Sequence, residues 1–303
     1  MTTATMVRAD DVWKRFGRHD VLQGLTLGVP EGSAYALIGA NGAGKTTTLK
    51  LLMNIFGPSR GAASVMGVDT RRISPQILAQ IGYVSENQAL PGRLTVGQYI
   101  DYLRPFYPSW DRALEASIRE TLQLPDERKI GQLSHGMRIK VALACALPYR
   151  PKLLILDEPF SGLDPLVREE FMEGLLSQSG ETTMVISSHE LGEIENVTTH
   201  VGFLDAGKML IEESMGDLND RIREVRVTLN QTATVPERLP KEWLQVRAFG
   251  NVLSFVDTRY SEEGMNERLR SLLGPVRRID AQPMPLRSIF TTLARAAREG
   301  AVR

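Results

Sequence analysis

The stretch "YALIGANGAGKTTTLKLL", Tyr35–Leu52, constrains this chain more than any other part. A compact apolar run leads into three glycines within six residues, followed by Lys-Thr-Thr and a helix-forming segment. Leu49, Leu52, Met53 and Phe56 recur at helical spacing, and Gly57–Pro58 ends the pattern. The expected unit is strand, glycine-rich loop, helix. Gly39–Thr47 fits G-x-x-x-x-G-K-[ST], a phosphate-binding pattern. Glycines let the backbone curl so that successive N–H groups point at phosphate oxygens. A helix starting near Lys45 adds its positive end. Gly39, Ala40, Asn41, Gly42, Ala43 and Gly44 form the expected cradle. Lys45 would reach the β- and γ-phosphates, Thr46 would ligate Mg²⁺, and Thr47 would reach the α-phosphate. A nucleoside triphosphate with Mg²⁺ is the expected ligand.

A second cluster completes that chemistry. "LLILDEP" places Asp157 at the end of a continuous apolar strand, where a carboxylate can hold Mg²⁺ through water. Glu158 follows directly and, beside a γ-phosphate, would act as general base on the attacking water. An adjacent Asp–Glu pair at a strand end also suits a solvated turn; the glycine-rich loop favours the catalytic reading. "VISSHE" places His189 at the end of another buried strand, where its imidazole could bond the γ-phosphate and orient Glu158.

The remaining chain sets the architecture. Of 303 residues, 42% are hydrophobic, enough for one large domain plus a smaller one. Lys plus Arg and Asp plus Glu both number 36, and this balance argues against a nucleic-acid binder. The single cysteine, Cys145, sits in the apolar run "VALACAL" and reads as a buried small hydrophobe in a reducing compartment. The N-terminus lacks an apolar core of signal-peptide length, and no apolar run approaches the ~20 residues that cross a bilayer. A membrane role is therefore expected to come through a partner.

"MVRADDVWKRFG" and "HDVLQGLTLGVP" read as strands with turns at Gly17 and Gly32. "IGYVSE", "KLLILDEP" and "TTMVISS" are further strands, "PLVREEFMEGLLSQ" is a helix, and two strands flank Ala206–Gly207. Strands alternating with helices predict an α/β architecture with a largely parallel sheet. A helical block over about 88–150 interrupts the alternation and reads as an inserted subdomain. Past residue 223 short strands ("REVRVTL", "WLQVRAF", "VLSFVDT", "VRRIDA") and two helices predict a small C-terminal α+β domain over 224–303, with "TATVPERLPKEW" as a loop. Residues 1–223 form the first domain in this reading.

Taken in order, these motifs resemble the ATP-binding subunits of ATP-binding cassette (ABC) transporters over about residues 6–220. The resemblance implies a P-loop NTPase core of the ABC-ATPase type with its inserted helical subdomain. Gly39–Thr47 corresponds to the Walker A loop, "LLILDE" to Walker B ending in the catalytic Glu158, and His189 to the switch histidine. "SGLD", Ser161–Asp164, corresponds to the D-loop, which crosses to the opposite subunit, and Asp164 closes it. Phe16 in "WKRFG" matches the aromatic that stacks on adenine, a contact worth on the order of 1–3 kcal/mol; a plain core role is its alternative. Ser134 and Gly136 lie in "LSHGM", at the place of the family's LSGGQ signature, and would meet ATP held by the other subunit. Ser134 is also a good N-cap for a helix beginning near Gly136. Two departures stand out. Glu86 follows "IGYVS" where the family has glutamine; a carboxylate can approach Mg²⁺ but only accepts hydrogen bonds. His135 and Met137 replace a glycine and a glutamine of the signature.

The resemblance implies an ATP hydrolase that energises export across the cytoplasmic membrane. It would sit on the inner face through a separate permease and act as a homodimer or heterodimer. The C-terminal segment, especially "IDAQPMPLRSIFTTLAR", resembles the tail of the ABC-2 export type; a generic dimerisation or regulatory domain is its alternative. The runner-up function is a soluble ABC ATPase, an assembly or remodelling factor acting without a permease. No heptad run separates the Walker A and signature motifs, which argues against the DNA-repair type of such enzymes. A nucleotide-binding scaffold without turnover is disfavoured by the presence of Glu158.

Overall fold

The computed structural model describes residues 4–176, 182–189, 192, 194–298 and 300. The elements run in order β1 (Thr5–Phe16), β2 (His19–Pro30), β3 (Ala34–Ile38), α1 (Lys45–Leu52), β4 (Arg60–Val65), β5 (Val68–Asp69), α2 (Pro75–Leu78), β6 (Ile81–Ser85), α3 (Val96–Leu103), α4 (Arg112–Thr121) and α5 (His135–Ala146). They continue with β7 (Leu153–Asp157), α6 (Pro165–Leu176), β8 (Thr183–Ser188), β9 (His200–Asp205), β10 (Lys208–Ser214), α7 (Met215–Arg221), β11 (Arg223–Leu229), β12 (Trp243–Phe249), β13 (Val252–Asp257), α8 (Met265–Leu273), β14 (Val276–Pro283) and α9 (Leu286–Arg298).

Two compact units result, Met1–Glu212 and Glu213–Arg303. The division falls earlier than the 223/224 boundary read from the sequence. The cause is α7, a short helix that the apolar pattern did not reveal. Ser214 caps it by accepting from the Asp217 N–H at 3.1 Å, and it groups with the second unit.

In the first unit, β3, β8 and β7 are buried along their whole length and pair in parallel. They lie inside a six-stranded sheet of order β10-β9-β3-β8-β7-β6. Strands covered on both faces read as unbroken apolar runs, which is how "AYALI", "LLILD" and "TMVISS" appear in the sequence. A second, four-stranded sheet, β2-β1-β4-β5, is antiparallel. Leu22, Leu27, Leu37, Leu49, Leu153 and Val185 belong to one core that spans both sheets, each 0–1% exposed. Burying each such side chain contributes roughly 1.5–3 kcal/mol. The strands β4 and β5 were not read from the sequence. The turn between them, Met66–Gly67, has φ of 52° and 74° and supplies the reversal. Helix α1 stops at Leu52, short of the periodic positions Met53 and Phe56, because Asn54 takes φ 55°.

Helices α3, α4 and α5 form the expected insert around Val96, Ile100, Ile130, Leu133, Val141 and Cys145. Burial pushes the Cys145 thiol pKa up, as expected for an inert packing residue. A charged knot ties the insert together. The carboxylate of Glu115 is 5% exposed and accepts from Arg104 at 2.9 Å, Arg119 at 2.8 Å and the Trp110 indole at 2.8 Å. Burial alone would raise the pKa of Glu115; the donors from Trp110, Arg104 and Arg119 outweigh it and hold the pKa below the usual range.

The second unit is an antiparallel sheet of order β12-β13-β11-β14. Alternation sends Val225, Val227, Leu253 and Phe255 to one face, where Met265 and Leu269 of α8 cover them. The opposite face carries Glu224, Arg226, Ser254 and Val256, and α9 lies along part of it. Gln245 of β12 donates to the Thr292 hydroxyl of α9 there at 3.1 Å.

Candidate active site

The Gly39–Gly44 loop joins the end of β3 to the start of helix α1. Gly44 holds φ 110°, and a Cβ there would come within 2.7 Å of Leu22. Only glycine fits this point of reversal. No side chain caps α1, so the N–H groups of its first turn are left for an anion. Ala40, Asn41 and Gly42 are exposed, Ala43 is buried, Thr46 is exposed and Thr47 half-buried.

The Lys45 ammonium is buried beneath this loop. It donates to the Gly39 carbonyl at 2.6 Å and the Ala40 carbonyl at 3.3 Å, and pairs with Glu158 Oε1 at 2.9 Å. The other carboxylate oxygen of Glu158 lies 2.7 Å from His189 Nδ1. An ionised carboxylate only accepts, so this contact requires a proton on Nδ1 of His189. Glu158 takes φ 51°, a left-handed backbone that costs a non-glycine residue about 1–3 kcal/mol and is retained where surrounding contacts hold it.

One hydroxyl provides much of that hold. Ser187, fully buried, stands directly across from Asp157 in the parallel register of β7 and β8. Its Oγ donates to Asp157 Oδ1 at 2.8 Å and accepts from the Glu158 N–H at 2.9 Å. Asp157 Oδ1 also accepts from the Thr46 hydroxyl at 3.0 Å. Burial raises the pKa of Asp157, partly offset by the hydrogen bonds from Ser187 and Thr46. Sequence reading passed over Ser187. Its only signal is a pair of hydroxyl residues, Ser187 and Ser188, ending an apolar strand just before His189.

Lys45, Thr46, Asp157, Glu158 and His189 therefore meet where the C-terminal ends of β3, β7 and β8 lie side by side. That is the usual ligand position in open α/β sheets. The Thr46 hydroxyl and the Asp157 carboxylate are hard oxygen donors facing each other. This pair suits Mg²⁺, which takes one or two protein oxygens and completes its shell with water and phosphate.

The other expected residues fall around this centre. Glu86, at the end of β6, donates its N–H to the Asp157 carbonyl at 3.0 Å and accepts from the Ser161 hydroxyl at 2.8 Å. Its carboxylate is thus tied to the first residue of "SGLD". Asp164 caps α6 by accepting from the Val167 N–H at 3.0 Å. Ser134 caps α5 by accepting from the Met137 N–H at 3.3 Å. A Cβ on Gly136 would meet Val167 and Leu163 at 3.2 and 3.3 Å, so the glycine lets the first turn of α5 rest against the start of α6. His135 lines a cavity of about 320 Å³ together with Glu86, Gln88 and Arg138. Phe16 is 42% exposed rather than core. Its ring meets Phe56 edge-on at 5.1 Å, with the Lys14 ammonium 4.8 Å from its centroid.

Known proteins resemble this chain in sequence and fold. The family model described as "ABC transporter" matches residues 22–161. The bacitracin transport ATP-binding protein BcrA of Bacillus licheniformis is 32% identical over 225 residues, 73% of this chain and 74% of that protein. The daunorubicin resistance ATP-binding protein DrrA2 of Streptomyces coeruleorubidus is 32% identical over 238 residues, 76% and 74% of the two chains. The uncharacterized ABC transporter ATP-binding protein YhaQ of Bacillus subtilis (strain 168) is 27% identical over 294 residues, 94% and 97%, so that match extends through the second unit. A solved ATP-binding subunit of an ABC transporter superposes with a TM-score of 0.65 at 28% identity, over 71% of this chain and 92% of that one. The chain belongs to the ABC transporter family, as an ATP-binding and ATP-hydrolysing subunit.

Proposed function

We propose that the chain powers export through a separate membrane-spanning permease, docked on the inner face of the membrane. Among the described residues no helix is long and apolar enough to cross a bilayer, so in this reading the partner supplies the passage. BcrA and DrrA2, named for bacitracin transport and daunorubicin resistance, favour outward transport of a hydrophobic or peptide-like compound.

The observation that carries the mechanism is the chain of contacts from the buried Lys45 through Glu158 to the more exposed His189. Triphosphate entering the Gly39–Thr47 loop would take over Lys45, which now serves loop carbonyls and Glu158. Its phosphates would receive the uncapped N–H groups of α1. Freed from Lys45, the Glu158 carboxylate would take a proton from water aligned on the γ-phosphate, while His189 keeps the carboxylate oriented. Thr46 and Asp157 would hold Mg²⁺, which when bound neutralises charge on the β- and γ-oxygens. Phe16, exposed at the end of β1, would stack on adenine. Ser134 and Gly136, at the start of α5, would close on ATP held by a second subunit, with Asp164 and its loop beside the junction. Glu86 would report occupancy through Ser161 and approach the metal from β6.

Glu158→Gln tests this reading. It should give an ATP-bound dimer, seen by size-exclusion chromatography, with hydrolysis reduced at least ~100-fold, as is typical of losing a general base. Hydrolysis near the parent rate would remove Glu158 from the role. Co-purification with a membrane protein separates the permease reading from a soluble remodelling ATPase.

A further inference from the structure

A cleft of about 410 Å³ lies in the second unit, between α9 and the sheet face that α9 leaves partly open. Nothing in the ATPase mechanism uses it. Its charge is one-sided. Arg247 of β12 and Arg287 and Arg295 of α9 line it, all exposed. The one carboxylate in the lining, Glu224, already pairs with Arg226 at 3.0 Å. Among the described residues the other ion pairs of this unit join Arg221 to Glu213, Arg223 to Asp220 and Arg268 to Glu242. The three cleft arginines take part in none. In a chain whose charges otherwise balance, this concentration is local.

Two features of the backbone indicate a built site. Arg287 stands in the first turn of α9, which holds no acidic residue. A cation there opposes the helix dipole, so helix stability does not account for it. At the opposite wall, Gln245 takes φ 51° where the pairing of β12 with β13 slips between Leu244 and Arg247. Such a bulge re-aims the side chains that follow it, here Arg247. The hydrogen bond from Gln245 to the buried Thr292 fixes this wall to α9.

We propose that this cleft binds a phosphate ester, its phosphoryl oxygens held by Arg247, Arg287 and Arg295. All three cations are arginine, whose planar fork matches phosphate geometry with two parallel hydrogen bonds. The hydroxyls of Ser254 and Ser288 add neutral donors, whereas that of Thr291 already donates to the Arg287 carbonyl at 2.9 Å. Three guanidinium groups and two hydroxyls exceed what one carboxylate can accept, and suit a phosphate better. Met284 and Val256 offer an apolar wall for the organic part, and the volume lies in the small-molecule range. The same chemistry is present in a soluble phosphate ester and in a phospholipid headgroup.

The test uses the full chain with saturating ADP and Mg²⁺, so that the Gly39–Thr47 loop is filled. Glycerol 3-phosphate is titrated by calorimetry, and phosphatidylglycerol vesicles are compared with phosphatidylcholine vesicles by flotation. Saturable binding of glycerol 3-phosphate assigns a soluble ligand; binding of phosphatidylglycerol vesicles alone assigns the headgroup. In either case Arg287→Gln and Arg295→Gln should each weaken binding about ten-fold or more, as expected for losing a charged hydrogen bond. A control pair, Arg270→Gln with Arg277→Gln, removes two positive charges from α8 and from the start of β14, neither of which lines the cleft. This pair should bind as the parent does. The proposal is overturned if neither probe binds, if the cleft variants bind normally, or if the control pair loses binding equally.

Discussion

Replacing Ser187 with alanine removes a single oxygen and tests how the site is held. That oxygen donates to Asp157 at 2.8 Å and accepts from the Glu158 N–H at 2.9 Å, in a place closed to solvent. A hydrogen bond to a charged group contributes about 1.5–3 kcal/mol, and an orphaned buried N–H costs about 1–3 kcal/mol. The two effects share one side chain and partly overlap, so unfolding stability should fall by about 2–4 kcal/mol. The Asp157 pKa should rise further, because a donor to its ionised form is gone. Chemistry should suffer separately. Glu158 keeps its left-handed backbone partly through this N–H, and its carboxylate must stay between Lys45 and His189. A displacement of about 1 Å at a reacting group can cost on the order of 100-fold in rate. We expect kcat of Ser187→Ala to drop about 10- to 100-fold with KM for ATP little changed. Ser187→Thr, which keeps the hydroxyl, should recover most of it. Denaturant unfolding and steady-state ATPase assays on the folded variants read both effects. An unchanged kcat alongside lowered stability would show that Ser187 only packs the strand end, and the positioning argument would fail.

Lys45→Ala should abolish tight ATP binding in calorimetry, because the loop loses its only buried cation; parent-like affinity would contradict the phosphate assignment. Asp157→Asn should change stability in a pH-dependent way. The folded pKa of Asp157 lies above its usual value of 3.8, so the folded state binds the proton more tightly and ionisation costs stability as pH rises through that window. Without ligand, the melting temperature of the variant relative to the parent should therefore increase from about pH 4 upward and then level off; a difference independent of pH would reject the burial argument. Glu115→Ala should destabilise the helical insert by about 3 kcal/mol, at the low end for a broken buried pair. The reason for the low value is that Arg104 and Arg119 keep Asp101 and Asp126 as partners. Hydrogen exchange in α4 would show the loss first.

Much of the site was legible because its parts are local. The Gly39–Thr47 loop announces itself through glycine spacing and the helix that follows. Asp157, Glu158 and His189 are marked by polar residues ending apolar strands. Ser187 shares that marking but lies beside a residue 30 positions away in sequence, and only strand register makes them neighbours. Likewise, Gly136 reads as half of a signature, whereas its contact with Leu163 and Val167 is visible only in the packing of α5 on α6. The helix α7 was missed because seven residues with few apolar positions show no period. The strands β4 and β5 were missed because "RGAASV" and "VD" are too short and mixed to alternate clearly.

The sequence alone therefore determined most of the longer elements, the phosphate loop and the residue types of the candidate catalytic site. Each depends on residues within a few positions of one another, where turn chemistry and hydrophobic period act. Tertiary structure decided the strand order that places β3 between β8 and β9, and the register that sets Ser187 against Asp157. It also decided the gathering of Arg247 with Arg287 and Arg295 around one cleft. Those outcomes depend on which distant strands pair and which faces bury. That choice is made by the summed packing of the whole core, and no short window of sequence contains it.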